Sequence, residues 1–225
     1  MSHGSAPSTI AVIGGTGKEG KGLAYRWSRA RHPVIIGSRS AERAVATALE
    51  LEQLLEHGIR VTGMSNIDAA RAAPIVVLTV PYDAHAEILE SIKPAMPGRL
   101  LIDATVPLQA GKVTRVHMPA AGSAAQEARQ ILGDECQVTA AFHTISHEHL
   151  FKDEPIECDV LVTGTSAEAR ARALELVTAA GLRGWDAGPL ENSSVSEGLT
   201  SVLIHINKKY GSRQAGIQIT GTGRA

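Results

Sequence analysis

The run Gly14-Gly15-Thr16-Gly17-Lys18-Glu19-Gly20 carries glycines at the spacing Gly15-x-Gly17-x-x-Gly20. Between a strand and a helix, that spacing builds a phosphate-binding turn. The first glycine permits the tight turn, the second lets backbone approach a pyrophosphate, and the third lets the helix pack on the strand. The helix then offers free N–H groups and the positive end of its dipole to the phosphates. A glycine-rich turn with no ligand would carry the same residues. Context favours a dinucleotide. The β-rich apolar run Thr9–Ile13 precedes the glycines, a helical pattern follows to about Ala30, and a second apolar run, Val34-Ile35-Ile36, comes next.

The end of that second run chooses the dinucleotide. A site for NAD places an acidic residue there to bond the ribose 2′-hydroxyl. This chain has Ser38-Arg39, with Arg43 one helical turn further on. A carboxylate would repel a 2′-phosphate, whereas a hydroxyl and two guanidinium groups would bind it through charge-assisted contacts. The competing reading is a solvated helix start. It explains the positions poorly, because cations at a helix N-terminus oppose its dipole. The expected cofactor is therefore NADP.

Other polar groups invite chemistry. His143, His147, Glu148 and His149 suggest a metal. No single local geometry brings the three histidines onto one ion, so the segment is read as a polar, histidine-rich loop without metal. Ser193-Ser194 and Glu197 have the spacing of a helix start with its capping serine and glutamate. Asp103, at the end of an apolar run, would either contact substrate or cap a turn. Lys208, Lys209 and Arg213 would meet an anionic ligand or simply close a helix end.

These residues need a scaffold. Apolar runs at Val34–Ile36, Ile75–Val80, Leu100–Asp103, Gln137–Ala141 and Asp159–Thr163 read as strands, with a weaker one at Arg60–Thr62. Several lack alternation, which fits burial on both faces of a parallel sheet. Helical patterns fall at Ala41–Glu56, Ala124–Leu132, Ala167–Ala180 and about Ser193–Tyr210. The alternation predicts an α/β, Rossmann-type doubly wound sheet, mostly parallel, with a small C-terminal helical portion. A boundary near residue 150 divides it into a dinucleotide-binding part, 9–150, and a smaller part, 151–225, packed on the first.

Composition excludes several classes. Lys plus Arg number 22 and Asp plus Glu 23, a net charge of -1, so no excess charge serves a nucleic acid. Aromatics are only 3%, too few for a base-stacking surface. No apolar stretch reaches the roughly 18 residues of a membrane span. Two cysteines, Cys136 and Cys158, are too few for a disulfide framework and read as reduced thiols of a cytoplasmic protein. The lead MSHGSAPS lacks the apolar core of a signal peptide.

GGTGKEGKGLAYR and GSRSAERA, then VTGMSNIDAA, LTVPYDA, AFHTIS and WDAGPLENSSVSEGLTSVLIHIN, resemble in this order the coenzyme F420-dependent NADP oxidoreductases. The resemblance runs from about residue 9 to 219. The glycine loop is generic; the ordered set of HTI, DAGPL and the terminal helix is more specific. More distantly, the chain resembles pyrroline carboxylate reductases. The resemblance implies hydride transfer between the deazaflavin coenzyme F420 and NADP. It implies that Gly15, Thr16, Gly17, Lys18, Glu19 and Gly20 wrap the pyrophosphate, and that Ser38, Arg39 and Arg43 take the 2′-phosphate. Thr79, Val80 and Pro81 would lie along the cofactor, with Ala84 opening the helix behind them and Val106 in the next loop. His143, Thr144 and Ile145 would face the second substrate, with His147 on the cofactor side. Two stretches depart from the family pattern. Asp103-Ala104-Thr105 stands for Ser-Pro-Leu, and Ser146-His147-Glu148-His149 follows HTI where proline is common.

Both carriers are obligate hydride carriers, so no nucleophile, acid or base is assigned. Two rival readings are an NADP-dependent reductase of a small imine or carbonyl, with Asp103, Tyr82 or His143 as proton donor, and a non-catalytic NADP-binding regulator. The terminal helix is apolar on more than one side, at Val195, Leu199, Val202, Leu203, Ile204 and Ile206. That predicts a partner subunit, most simply in a homodimer.

Overall fold

The computed structural model describes residues 7–56, 58–151 and 155–222. Residues 1–6 of the polar lead lie outside them. One eight-stranded sheet runs in the order β3-β2-β1-β4-β5-β6-β7-β8. Its strands are β1 Ile10–Ile13, β2 Val34–Ser38, β3 Val61–Ser65, β4 Ile75–Leu78, β5 Leu100–Asp103, β6 Gln137–Ala140, β7 Asp159–Gly164 and β8 Arg183–Pro189. Neighbours pair in parallel except β6 with β7, so the last two strands run opposite to the first six.

The helices are α1 Lys18–Arg29, α2 Ala41–Leu54, α3 Asn66–Ala72, α4 His85–Ile92, α5 Ala124–Leu132, α6 His147–Leu150, α7 Ala167–Ala179 and α8 Ser193–Tyr210. Strand side chains alternate between two cores. Ile10 and Val12 of β1 join Leu23 and Trp27 of α1, Leu51 of α2 and Leu176 of α7 on one face. Ala11 and Ile13 join Ala69 of α3, Leu89 of α4 and Ala128 of α5 on the other. A period of two on a sheet covered by helices on both faces explains why these strands read as continuous apolar runs.

Three elements differ from the sequence reading. The segment after Ile145 is a one-turn helix, α6, where a loop was expected. Ser146 caps it through the Glu148 N–H at 3.4 Å, and Arg26 holds it by donating to the carbonyls of His149 at 3.1 Å and Leu150 at 2.9 Å. Helix α3 went unread because it has only seven residues. Its signal was Ser65-x-x-Asp68, in which Ser65 Oγ accepts the Asp68 N–H and donates to the Asp68 carboxylate at 2.6 Å. Strand β8 went unread because Gly184, Asp186, Gly188 and Pro189 are weak strand formers. Pairing with β7 overrides them.

Chain order reverses direction across the sheet between β1 and β4. In open α/β sheets, that switch point at the carboxyl ends of the strands is where ligands bind. The loops after Ile13, Ser38, Leu78, Asp103 and Ala140 converge there.

Candidate functional site

Three adjoining cavities follow those loops. The first, about 340 Å³, is lined by Gly14, Thr16 and Gly17 of the glycine turn, by Ser38, Arg39, Ser40 and Arg43 after β2, and by Asn66, Thr79, Val80, Pro81, Ala84 and Ile88. Its turn leaves no room for side chains. Gly14 has a φ of +78°, and a Cβ there would meet the Thr79 carbonyl oxygen at 2.8 Å. Gly15 and Gly20 line no wall. A Cβ on Gly15 would strike the Val12 carbonyl oxygen at 2.7 Å, and one on Gly20 the Thr79 hydroxyl at 2.6 Å. They act by letting α1 start close against β1 and the segment after β4.

The charged end of this cavity begins as β2 ends. Ser38 is buried, and its Oγ accepts the Ser40 N–H at 3.3 Å. Ser40 caps α2 by accepting the Arg43 N–H at 3.2 Å. This cap sets Arg39 and Arg43 at the mouth of the pocket. Both are exposed, and neither has an ion-pair partner among the described residues. Asn66, the first residue of α3, is buried with its Oδ1 unpartnered. It was not foreseen, and neither was Gly14. The Gly-Gly pair and the capping sequence before α3 were the available signals.

The middle cavity, about 370 Å³, shares Gly17, Thr79, Val80 and Pro81 with the first. Lys18, Glu19, Ala104, Val106, Leu108, His143, Ile145 and Thr200 complete it. Lys18 and Glu19 thus line this chamber, one step beyond the glycine turn and the arginine pair. The third cavity, about 330 Å³, shares Glu19, His143, Ile145 and Thr200 with the middle one and adds Thr144, Ser146, His147, Leu203, Ile204, Asn207, Arg213 and Ala215. His147 is therefore in the last chamber with His143. Thr200 and Asn207 of α8 were not foreseen; polar residues breaking an apolar helix were their signal. Leu190, just before α8, is buried in a core. The wall comes two to five turns later on α8.

The turn after β6 aims His143. Phe142 adopts φ +72°, rare for a bulky residue, and its ring is buried edge-on against Trp27 at 5.8 Å. Core packing holds that conformation, which costs about 1 kcal/mol or more, and the next side chain lines the cavities. Thr200 Oγ1 donates to the His143 carbonyl at 2.8 Å and ties the turn to α8. Both His143 ring nitrogens are buried and unpartnered. Burial, partly offset by Asp103, pushes its pKa down to about 4, so the ring is neutral near pH 7.

Behind the cavities lies a buried polar cluster. His85 reaches the Asp103 carboxylate with Nε2 at 2.8 Å and Glu127 with Nδ1 at 3.2 Å. Burial alone would lower the His85 pKa, but Asp103 and then Glu127 outweigh it and hold it raised. Burial alone would raise Asp103, but His85 and the Thr105 N–H at 2.9 Å hold it low. Asp103 is fully buried and caps the loop after β5, the second of its two expected roles. Ser193 and Glu197 do not form the expected cap of α8, whose N-cap is Asn192. Glu197 instead accepts the N–H groups of Ala124 at 2.7 Å and Ala125 at 3.2 Å, so it caps α5 across space. Ser193 donates to Ser123 at 2.6 Å. A cap needs only an acceptor near free N–H groups, and tertiary packing brought α5 closer.

No group of three potential metal-ligating side chains lies together among the described residues. No helix among them is long and apolar enough to cross a membrane. Cys136 and Cys158 are free, buried thiols.

Residues 9–107 match the family model described as NADP oxidoreductase, coenzyme F420-dependent. The chain is 42% identical over 218 residues to the F420-dependent NADP reductase of Methanothermobacter marburgensis, covering 94% of this chain and 97% of that one. It is 36% identical over 219 residues to the protein of the same name from Methanocaldococcus jannaschii, covering 94% and 97%. A solved structure from Arthrobacter sp. FB24 superimposes with a TM-score of 0.76 at 22% identity, covering 94% and 98%. The NADP-bound pyrroline carboxylate reductase of Plasmodium falciparum gives 0.59 at 14%, covering 90% and 66%, a likeness of fold alone. With the glycine turn, the arginine pair and three adjoining cavities in place, identity at this level across nearly the full length shows that the chain belongs to the family of F420-dependent NADP reductases.

Proposed function

We propose that the three cavities divide one reaction, hydride transfer between reduced coenzyme F420 and NADP. The first takes the 2′-phosphate and pyrophosphate of NADP, the middle one its nicotinamide, and the third the deazaflavin ring. The observation that carries this reading is that Glu19, His143, Ile145 and Thr200 line both inner chambers, so the two adjoin along one wall.

The residues fit these groups. The Cβ-free turn at Gly14, Gly15 and Gly20 admits a pyrophosphate against backbone. Thr16 and Gly17 stand beside it at the start of α1. The unpaired guanidinium groups of Arg39 and Arg43, with Ser38, suit a dianionic 2′-phosphate. His143 lines both inner chambers with its two buried ring nitrogens unpartnered, and Thr144 and Ile145 continue that wall. When bound, the two carriers supply the hydride chemistry between them. The chain's part is to align them and exclude water. Val80 and Ile145 set the stacking distance; Thr79, Pro81, Ala84 and Val106 hold the cofactor's flank; α8 closes the far side. A neutral His143 donates or accepts one hydrogen bond without adding charge.

The family relationship favours this activity over an imine or carbonyl reductase or a non-catalytic binder. The decisive test is anaerobic mixing with reduced F420 and NADP+, following the absorbance of each. Reduction of an imine or ketone by NADPH without any F420 reaction would overturn the deazaflavin assignment and leave the dinucleotide site standing.

Two coarser expectations continue as proposals. The division into 9–150 and 151–225 is supported by the reversed direction of β7 and β8, although they extend the same sheet. A cytoplasmic setting is supported by the two free thiols, and a homodimer by the outer face of α8. Val195, Val202 and Ile206 are exposed there in one stripe with Leu199, and Val116 is exposed beside it. The neighbouring face carries Ser196, Thr200 and Leu203 inward.

A further inference from the structure

We infer that the carboxylate of Glu19 takes up and returns the proton that must accompany hydride transfer in this chain. This rests on the reading of the third cavity as the deazaflavin site.

The need for such a group follows from balance. A reduced deazaflavin gives up a hydride from C5, with its two electrons, to nicotinamide C4. Its ring regains the oxidised state only when the N1–H bond breaks, the bonding pair staying on the ring and the proton leaving. The products are the oxidised deazaflavin, NADPH and one proton. The proton goes to the Glu19 carboxylate and from there to water, and the reverse reaction draws it back. No further oxidant or reductant is required.

The geometry singles out Glu19. Two titratable side chains line both inner chambers, Glu19 and His143. His143 is held neutral by burial and takes a proton only near pH 4, which makes it a poor acceptor at neutral pH. Glu19 sits in the first turn of α1, half-buried, without a hydrogen-bond or ion-pair partner among the described residues. Burial alone pushes its pKa up to about 8, which suits a group that must both gain and lose a proton in water near neutrality. Neighbouring charge is sparse. Lys18 adjoins it on the same turn, Arg213 comes from the C-terminal segment and His147 from α6, while α8 presents uncharged Thr200 and Asn207. Burial also pushes Glu197 up to about 8, but Glu197 lines neither chamber, so a limb near pH 8 is assigned to Glu19.

Glu19→Gln tests this. The parent's rate of NADP+ reduction should rise with pH through a midpoint near 8, and its rate of F420 reduction should fall through the same midpoint. Glu19→Gln should lose both limbs and slow turnover at their favourable ends by roughly a hundredfold, while Glu19→Asp restores a displaced limb. Infrared titration of the NADP-bound protein supplies a readout independent of turnover. The protonated-carboxyl band titrating near pH 8 should lose the share of Glu19 in Glu19→Gln and keep that of Glu197. Unchanged limbs, or an unchanged band, in Glu19→Gln would overturn the assignment. Binding of F420, followed by its own fluorescence, keeps the two readings apart. If Ile145→Trp leaves F420 binding intact, the cavity reading fails; if it abolishes binding while Glu19→Gln behaves as the parent, only the proton assignment fails.

Discussion

Arg39 and Arg43 carry the sharpest prediction, because they stand where an acidic residue would serve NAD and no carboxylate of the described chain pairs with them. A charge-assisted contact contributes about 1.5–3 kcal/mol, so Arg39→Ala should weaken NADP binding by roughly ten- to a hundredfold and leave NAD binding nearly unchanged. Fluorescence titration of both dinucleotides measures this, and equal losses for the two would contradict the 2′-phosphate role. Ile145 makes a second prediction. It is almost fully buried yet lines both inner chambers. Ile145→Trp should fill the space of the second ring and abolish hydride transfer, while NADP affinity stays within about twofold, since the proposed phosphate contacts lie after β1 and β2. Arg39 and Arg43 were legible in the sequence through position and type, and Ile145 only through the family resemblance. The orphaned nitrogens of His143 were not, because only burial reveals that a histidine lacks a partner.

Between elements, the buried His85 holds the start of α4, the end of β5 and α5 together through Asp103 and Glu127. Breaking a buried pair strands the other charge, so His85→Gln should lower stability by about 3 kcal/mol or more, measured by urea unfolding. The pH dependence has a definite sign. A raised His85 stabilises fully below its ordinary value of 6.5, and that share is lost as pH rises through the higher folded pKa. A lowered Asp103 stabilises fully above its ordinary value of 3.8, and that share is lost as pH falls through the lower folded pKa. The parent should therefore be most stable between these values, and the His85→Gln curve should lack the alkaline decline. A decline of equal size in the variant would assign it to another group. Nothing in the spacing of His85, Asp103 and Glu127 predicts their meeting. They come from three separate elements, brought together where β5 ends.

At the scale of the molecule, α8 has two working faces. Thr200, Leu203 and Asn207 close the third cavity, and Val195, Val202 and Ile206 face outward. The proposed homodimer buries the outer stripe. Val202→Glu combined with Ile206→Glu should then give a monomer by light scattering at micromolar concentration, with NADP binding retained. A parent that is already monomeric would remove the proposal. If the dimer holds α8 in place against the cavity, the monomeric variant should also bind F420 more weakly, since a loosened wall leaves the chamber open.

Local pattern determined most of the scaffold by itself. Unbroken apolar runs such as Ile75–Leu78 announce strands buried on both faces, and the glycine spacing after β1 announces a phosphate turn, because both depend on a few neighbouring residues. Tertiary structure alone decided the rest. It turned Glu197 from an expected cap of its own helix into a cap of α5, and pressed the weak strand former Arg183–Pro189 against β7. It also swung His143 and Glu19, 124 positions apart, onto one shared wall. The physical reason is the range of the interactions. Backbone propensity and capping act within a turn or two, whereas the hydrogen-bond partner of a buried polar group and the wall of a cavity are chosen by whichever elements the packed core brings together.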